Sequence, residues 1–114
     1  MAMARILVSE ADPDVRRLLV MLIERLGHEP LVLDADVAVP PRADLLLVEP
    51  QSHWCLDHAR LVRAYFPELP VLALNALPDE AGFLQRGPFG YLQKPFTVET
   101  MRVTVQGALG LSPV

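Results

Sequence analysis

The sequence predicts an α/β fold: a doubly wound, five-stranded parallel sheet forming a single domain over residues 1–114. Three observations lead to it. Short apolar segments of strand length alternate along the chain with segments of helical periodicity, the order expected of strands linked by crossovers. The strand segments are apolar on consecutive rather than alternate positions, which requires cover on both faces of the sheet. The eleven prolines fall between these segments or at their first positions, where breaks in regular structure belong.

Arg5 to Ser9 reads as a buried first strand. Asp12-Pro13-Asp14 then starts a helix: Asp12 can cap, Pro13 suits the first helical position, and Asp14 meets the positive end of the dipole. Val15, Leu18, Leu19, Leu22, Ile23 and Leu26 recur at helical spacing, and Gly27 ends the helix. Leu31 to Leu33 is a second strand and Asp44 to Val48 a third. The connection from Asp34 to Ala43 contains Pro40-Pro41, leaving room for one or two helical turns at most where a crossover usually takes a dozen residues. The second helix is therefore expected to be shortened and the sheet thinly covered there. A weak helix follows, about Leu56 to Phe66, with Ala59, Val62 and Phe66 inward. Pro70 to Asn75 is a fourth strand, Asp79 to Arg86 a short helix, and Gly90 to Gln93 a fifth strand. Thr97 to Leu109 is the last helix, with Thr97 as cap and Val98, Met101, Val105 and Leu109 in register.

Composition narrows the function. The formal charge is −4 and no basic stripe is present, which argues against nucleic-acid binding. The longest apolar run, Leu18 to Ile23, is far too short for a bilayer, and no charged-then-apolar leader opens the chain. The single cysteine, Cys55, leaves no internal disulfide. A cytoplasmic location is expected. Of ten basic residues only Lys94 is lysine, which singles out its ammonium.

Ligands of open parallel sheets bind outside the carboxyl ends of the strands. The first strand ends in Ser9-Glu10-Ala11-Asp12, the third in Glu49-Pro50, the fourth in Asn75-Ala76 and the fifth in Lys94-Pro95-Phe96. Two glutamates, an amide and the only lysine converge on one edge.

The segments ILVSEADPDVRRLL, ADLLLVEP, PVLALNA and GYLQKPF together resemble the CheY-like receiver domain of two-component response regulators, in order and over nearly the whole chain. The resemblance implies a flavodoxin-like strand order, 2-1-3-4-5. It also implies a chemistry. A receiver takes a phosphoryl group from a histidine kinase onto an aspartate ending the third strand. A magnesium ion is held by that aspartate and by an acidic pair after the first strand. A Thr or Ser after the fourth strand and a Lys after the fifth contact the phosphoryl group, and an aromatic residue on the fifth strand reports the change. Lys94 matches the lysine and Tyr91 the switch aromatic.

The remaining positions depart from the pattern. Glu49 stands at the phosphoacceptor position, the acidic pair is reduced to Glu10-Ala11, and Asn75 replaces the hydroxyl residue. Magnesium wants near-ideal octahedral oxygens at about 2.0–2.1 Å, and alanine supplies no side-chain oxygen. In-line phosphoryl transfer depends on positioning and charge stabilisation, and glutamate sets its carboxylate one methylene further out. The sequence therefore points to an atypical, stand-alone receiver, not an enzyme, with no cofactor and weak or absent magnesium binding. Its expected partner is a protein, or a second copy through the last strand and last helix, with neither nucleic acid nor membrane. Glu49 paired with Lys94 would hold the loops in one state. The alternatives are a phosphoryl acceptor using Glu49 or Asp12, and a small phosphatase-like enzyme. The latter would want paired aspartates after a strand, which VEP does not supply.

Plainer readings stand beside these. Glu10 and Glu49 can be solvated strand ends, Asp12 a helix cap, Asn75 a turn residue and Tyr91 a core residue. His53-Trp54-Cys55-Leu56-Asp57-His58 brings potential metal ligands within six residues, but a small buried hydrophobe is the expectation for Cys55.

Overall fold

The computed structural model describes residues 3–74, 89–92 and 96–110. Five parallel strands form one sheet: β1 (Arg5–Ser9), β2 (Glu29–Val32), β3 (Leu45–Val48), β4 (Val71–Leu74) and β5 (Phe89–Leu92), in the order β2-β1-β3-β4-β5. Helices α1 (Pro13–Arg25) and α3 (Val98–Ala108) cover one face, and α2 (His53–Tyr65) covers the other. The expected doubly wound sheet and its strand order are both present.

The consecutive apolar strand positions are explained by two cores. Ile6, Val8, Leu45 and Leu47 face α1 and α3, where Leu19, Leu22, Ile23, Met101 and Val105 meet them. Leu7, Leu46 and Val48 face α2, against Cys55, Ala59 and Val62. Side chains alternate across a strand, so a strand wrapped by helices on both sides must be apolar throughout, and β3 is buried at all four positions.

Two assignments within the helical stripes are corrected. Leu18 is exposed, because the inward face of α1 is set by Val15, Leu19, Leu22, Ile23 and Leu26, and Leu18 lies one position off it. Val98 is exposed as well, in the first turn of α3, before the helix reaches the core at Met101. Helix α2 begins at His53 rather than near Leu56, with Ser52 as its N-cap residue in extended backbone. Phe66 follows the helix and packs in part against the second core.

Strand β2 starts at Glu29 and runs through Pro30. Glu29 N–H donates to Ala4 O at 2.8 Å and Leu33 N–H to Val8 O at 2.9 Å, so residues 29, 31 and 33 turn their amides toward β1. Pro30, which has no N–H, faces the open edge, the place in a sheet where proline does no harm. Residues 33–44 then cross to β3 without any helix. The only regular feature is a turn closed by Val37 N–H to Asp34 O at 3.2 Å. Val37 and Ala43 pack in part on the second core and Pro40 is buried, so a short loop does the covering that a helix would otherwise do. The short helix expected over Asp79 to Arg86 lies outside the described residues.

Candidate functional site

The carboxyl ends of β1 and β3 are pinned together: Glu49 N–H donates to Ser9 O at 2.9 Å. This places the two glutamates that follow the strands, Glu10 and Glu49, on the same rim. Both are buried, with 2% and 8% of their surface exposed. They are therefore not solvated strand ends. Glu49 Oε1 accepts the amide of Gln51 at 3.0 Å, which ties one carboxylate oxygen to its own loop. Glu10 Oε2 lies 3.4 Å from the amide of Asp12, which donates to it, and the Glu10 carbonyl accepts Arg16 Nη1 at 3.2 Å. Backbone amides around the rim thus help to balance the buried negative charge.

Asp12 acts as the helix cap. Its Oδ1 accepts the amides of Asp14 at 2.8 Å and Val15 at 3.4 Å, satisfying donors that α1 leaves unpaired at its start. Ala11 is exposed and contributes no ligand. Tyr91 lies on β5, partly exposed, beside a groove bordered by Val103, Thr104, Gly107 and Ala108 of α3. Asn75 and Lys94, the other two candidate residues, lie outside the described residues, as does the proposed contact between Lys94 and Glu49.

A polar layer beneath the rim was not anticipated from the sequence. Ser9, wholly buried at the end of β1, shares a 2.7 Å hydrogen bond between its Oγ and Nδ1 of His58, itself buried on the inner face of α2. His58 meets Trp54 edge to face, with ring centroids 5.2 Å apart, and its Nε2 has no hydrogen-bond partner among the described residues. Cys55 belongs to the same layer. Burial pushes its thiol above the ordinary value, hydrogen bonds from Ser9 and Ser52 oppose that, and the charges of Glu10 and Glu49 add to the rise. The thiol thus stays protonated and fills space, as expected of a small buried hydrophobe. The signal for this layer was available in the helical period: Cys55 and His58 are three apart and face inward, whereas His53 and Asp57 face solvent. The helix divides the apparent metal-binding run between two faces. Among the described residues no group of three or more His, Cys, Asp and Glu side chains is arranged to hold a metal ion.

The geometry can be set beside known structures. The receiver domain of the sensor histidine kinase PA1611 from Pseudomonas aeruginosa PAO1, described with a magnesium ion coordinated in its active-site cleft, superposes with a TM-score of 0.76. It shares 25% identity, over 96% of this chain and 99% of that one. The chain has the fold of the CheY-like response-regulator receiver domain. Other structures share the fold: the Vibrio cholerae chemotaxis protein CheY4 gives a TM-score of 0.79 at 22% identity, over 94% of this chain and 99% of that one. NtrX from Brucella abortus gives 0.77 at 25% identity over 96% of this chain, which spans only 26% of the NtrX chain. No family model matches the sequence, and no curated protein matches it.

The magnesium of the PA1611 receiver provides a test of fit. In this chain the rim offers Glu10 and Glu49, both held by neighbouring amides, and a methyl group at Ala11. Magnesium is commonly held by one or two carboxylates with waters completing the octahedron, so the departure from the acidic pair lies at Ala11, which supplies no side-chain oxygen.

Proposed function

We propose that this receiver works in two-component-type signal transduction as a protein-binding module that is not phosphorylated at the end of β3. One observation carries the reading. Glu49, at the phosphoacceptor position, is 8% exposed and hydrogen-bonded to the amide of Gln51, while Ala11 leaves the neighbouring acidic position empty of oxygen. An attacking carboxylate must present an oxygen in line with the phosphoryl donor, and a metal must neutralise the charge that develops. A buried carboxylate with one oxygen engaged by its own loop, beside a depleted ligand set, is poorly placed for both requirements.

On this reading residues 1–114 act as one receiver-like domain, not an enzyme, with Glu10, Glu49, Asn75 and Lys94 as a fixed pocket and Tyr91 at the switch position. Magnesium binds weakly or not at all, and the partner is a protein. The acidic balance, formal charge −4, supports neither nucleic-acid nor anionic-membrane contact. No described helix is long and apolar enough to cross a membrane. A cytoplasmic location belongs to the same reading. Glutamate is a partial stand-in for a phosphorylated aspartate: it carries one negative charge where a phosphoryl group carries about −1.5 to −2. That single charge suits a domain held in one state.

The test is incubation with acetyl phosphate, or with beryllium fluoride and magnesium, followed by amide NMR and phosphate-affinity electrophoresis. The expected result is an unchanged spectrum around Glu10, Glu49 and Tyr91 and no shifted band. A retarded band, or shifts confined to the pocket, would establish the phosphoryl acceptor instead.

A further inference from the structure

The exposed flank of α1 has a pattern that none of the pocket chemistry uses. Val15, Leu19, Leu22 and Leu26 face the core, and the flank carrying Arg16, Val20 and Ile23 is half-buried or buried. The opposite flank carries Asp14, Leu18, Met21 and Arg25, all exposed, with Leu18 at 41% and Met21 at 44%. Their spacing of four, three and four residues is the seam spacing of paired helices.

This stripe is its own complement when reversed. A two-fold axis passing between Leu18 and Met21 sets Leu18 of each copy opposite Met21 of the other, and Asp14 of each opposite Arg25 of the other. We propose that α1 is a self-docking surface on which two copies of this chain meet with their α1 helices antiparallel. Leu18 then packs on Met21 of the second copy, and Asp14 faces Arg25 of the second copy at both ends. Isologous contact requires this reciprocity, whereas an unrelated partner would need no such reversal symmetry in charge. Asp14 is paired on its own helix with Arg17, and Arg25 has no ion pair among the described residues. The dimer therefore supplies Arg25 with a carboxylate.

The neighbouring sheet edge favours helix contact over strand pairing. Pro30 removes an outward N–H from β2, blunting that edge against extension. One 13-residue helix is about 20 Å long, so the contact sits at the small end of specific interfaces and the association is weak and concentration-dependent.

The experiment is sedimentation equilibrium of the full chain from about 10 µM to about 1 mM, a range that covers weak association. It compares wild type, Asp14→Lys, Arg25→Glu and an equimolar mixture of the two variants. Wild type should dimerise. Each variant alone should associate about tenfold or more weakly, because two favourable charge contacts become two like-charge contacts. The mixture should recover, since the lysine introduced in one variant then meets the glutamate introduced in the other, while the opposite end keeps Asp14 against Arg25. Damage to the helix alone is not repaired by mixing. A wild type that stays monomeric across the range, variants that associate like wild type, or a mixture no better than its components would overturn the proposal.

Discussion

The Ser9 hydroxyl is wholly buried with its oxygen 2.7 Å from His58 Nδ1, so neither group can exchange this partner for bulk water. Removing one member of such a pair leaves the other desolvated and unpaired, which costs about 1–3 kcal/mol. Ser9→Ala should lower unfolding free energy by that amount in urea titrations. Replacing both groups removes the mismatch, so Ser9→Ala with His58→Leu should be less destabilised than the sum of the single changes. Additive losses would show that the pair contributes nothing as a pair. This bond was hidden from sequence reading because it joins residues 49 apart. Ser9 appears there as the polar end of an apolar strand, and His58 as part of a run rich in metal-binding residue types. What the period of α2 does reveal is which members of that run share a face.

Helix α1 ends in a compact arrangement of backbone bonds. Gly27 adopts φ +84°, its N–H donates to Glu24 O at 3.0 Å, and His28 N–H donates to Ile23 O at 3.1 Å. These two bonds satisfy carbonyls left over at the helix end and steer the chain into β2. A residue with a Cβ is disfavoured in this left-handed region by roughly 1–2 kcal/mol. Gly27→Ala should therefore lower the thermal midpoint by several degrees, and Gly27→Asn by less, because asparagine tolerates the region better. Calorimetry checks the ranking, and equal midpoints for alanine and glycine would refute it. The stop at Gly27 was legible because a glycine after a periodic stretch has one common use. The start of β2 was not. Pro30 reads as a breaker until the register shows its missing N–H facing the open edge. The beginning of α2 was misplaced for a related reason: Ser52 sets the helix start through its backbone, and its side chain makes no capping bond.

At the scale of the whole molecule, alternating segments and unbroken apolar strands were enough to give the sheet and, through the family resemblance, its strand order. They also located Glu10 and Glu49 on one rim. They did not show that both carboxylates are buried and held by amides, because burial depends on the loop conformation after each strand. Metal occupancy of that rim is testable through global stability. An ion that binds only the folded state adds RT ln(1 + [L]/Kd), about 1.4 kcal/mol at ten times Kd. The wild-type chain, with Ala11 beside two glutamates, should show almost no rise in thermal midpoint in about 10 mM magnesium. Restoring the missing oxygen and the shorter acceptor in Ala11→Asp with Glu49→Asp should act in two directions. Without metal, a third carboxylate near Glu10 should lower the midpoint through like-charge repulsion. With magnesium, the same variant should rise by roughly 5 °C or more, taking about 4–8 °C per kcal/mol for a domain near this size. Glu49→Asp alone should remain insensitive, since Ala11 still withholds a ligand. Fluorescence of Trp54, in the first turn of the adjoining helix, gives a second readout of the same titration. A wild-type midpoint that climbs with magnesium as far as the double variant would mean that Ala11 is not what weakens the site, and the account of the depleted pocket would have to be replaced.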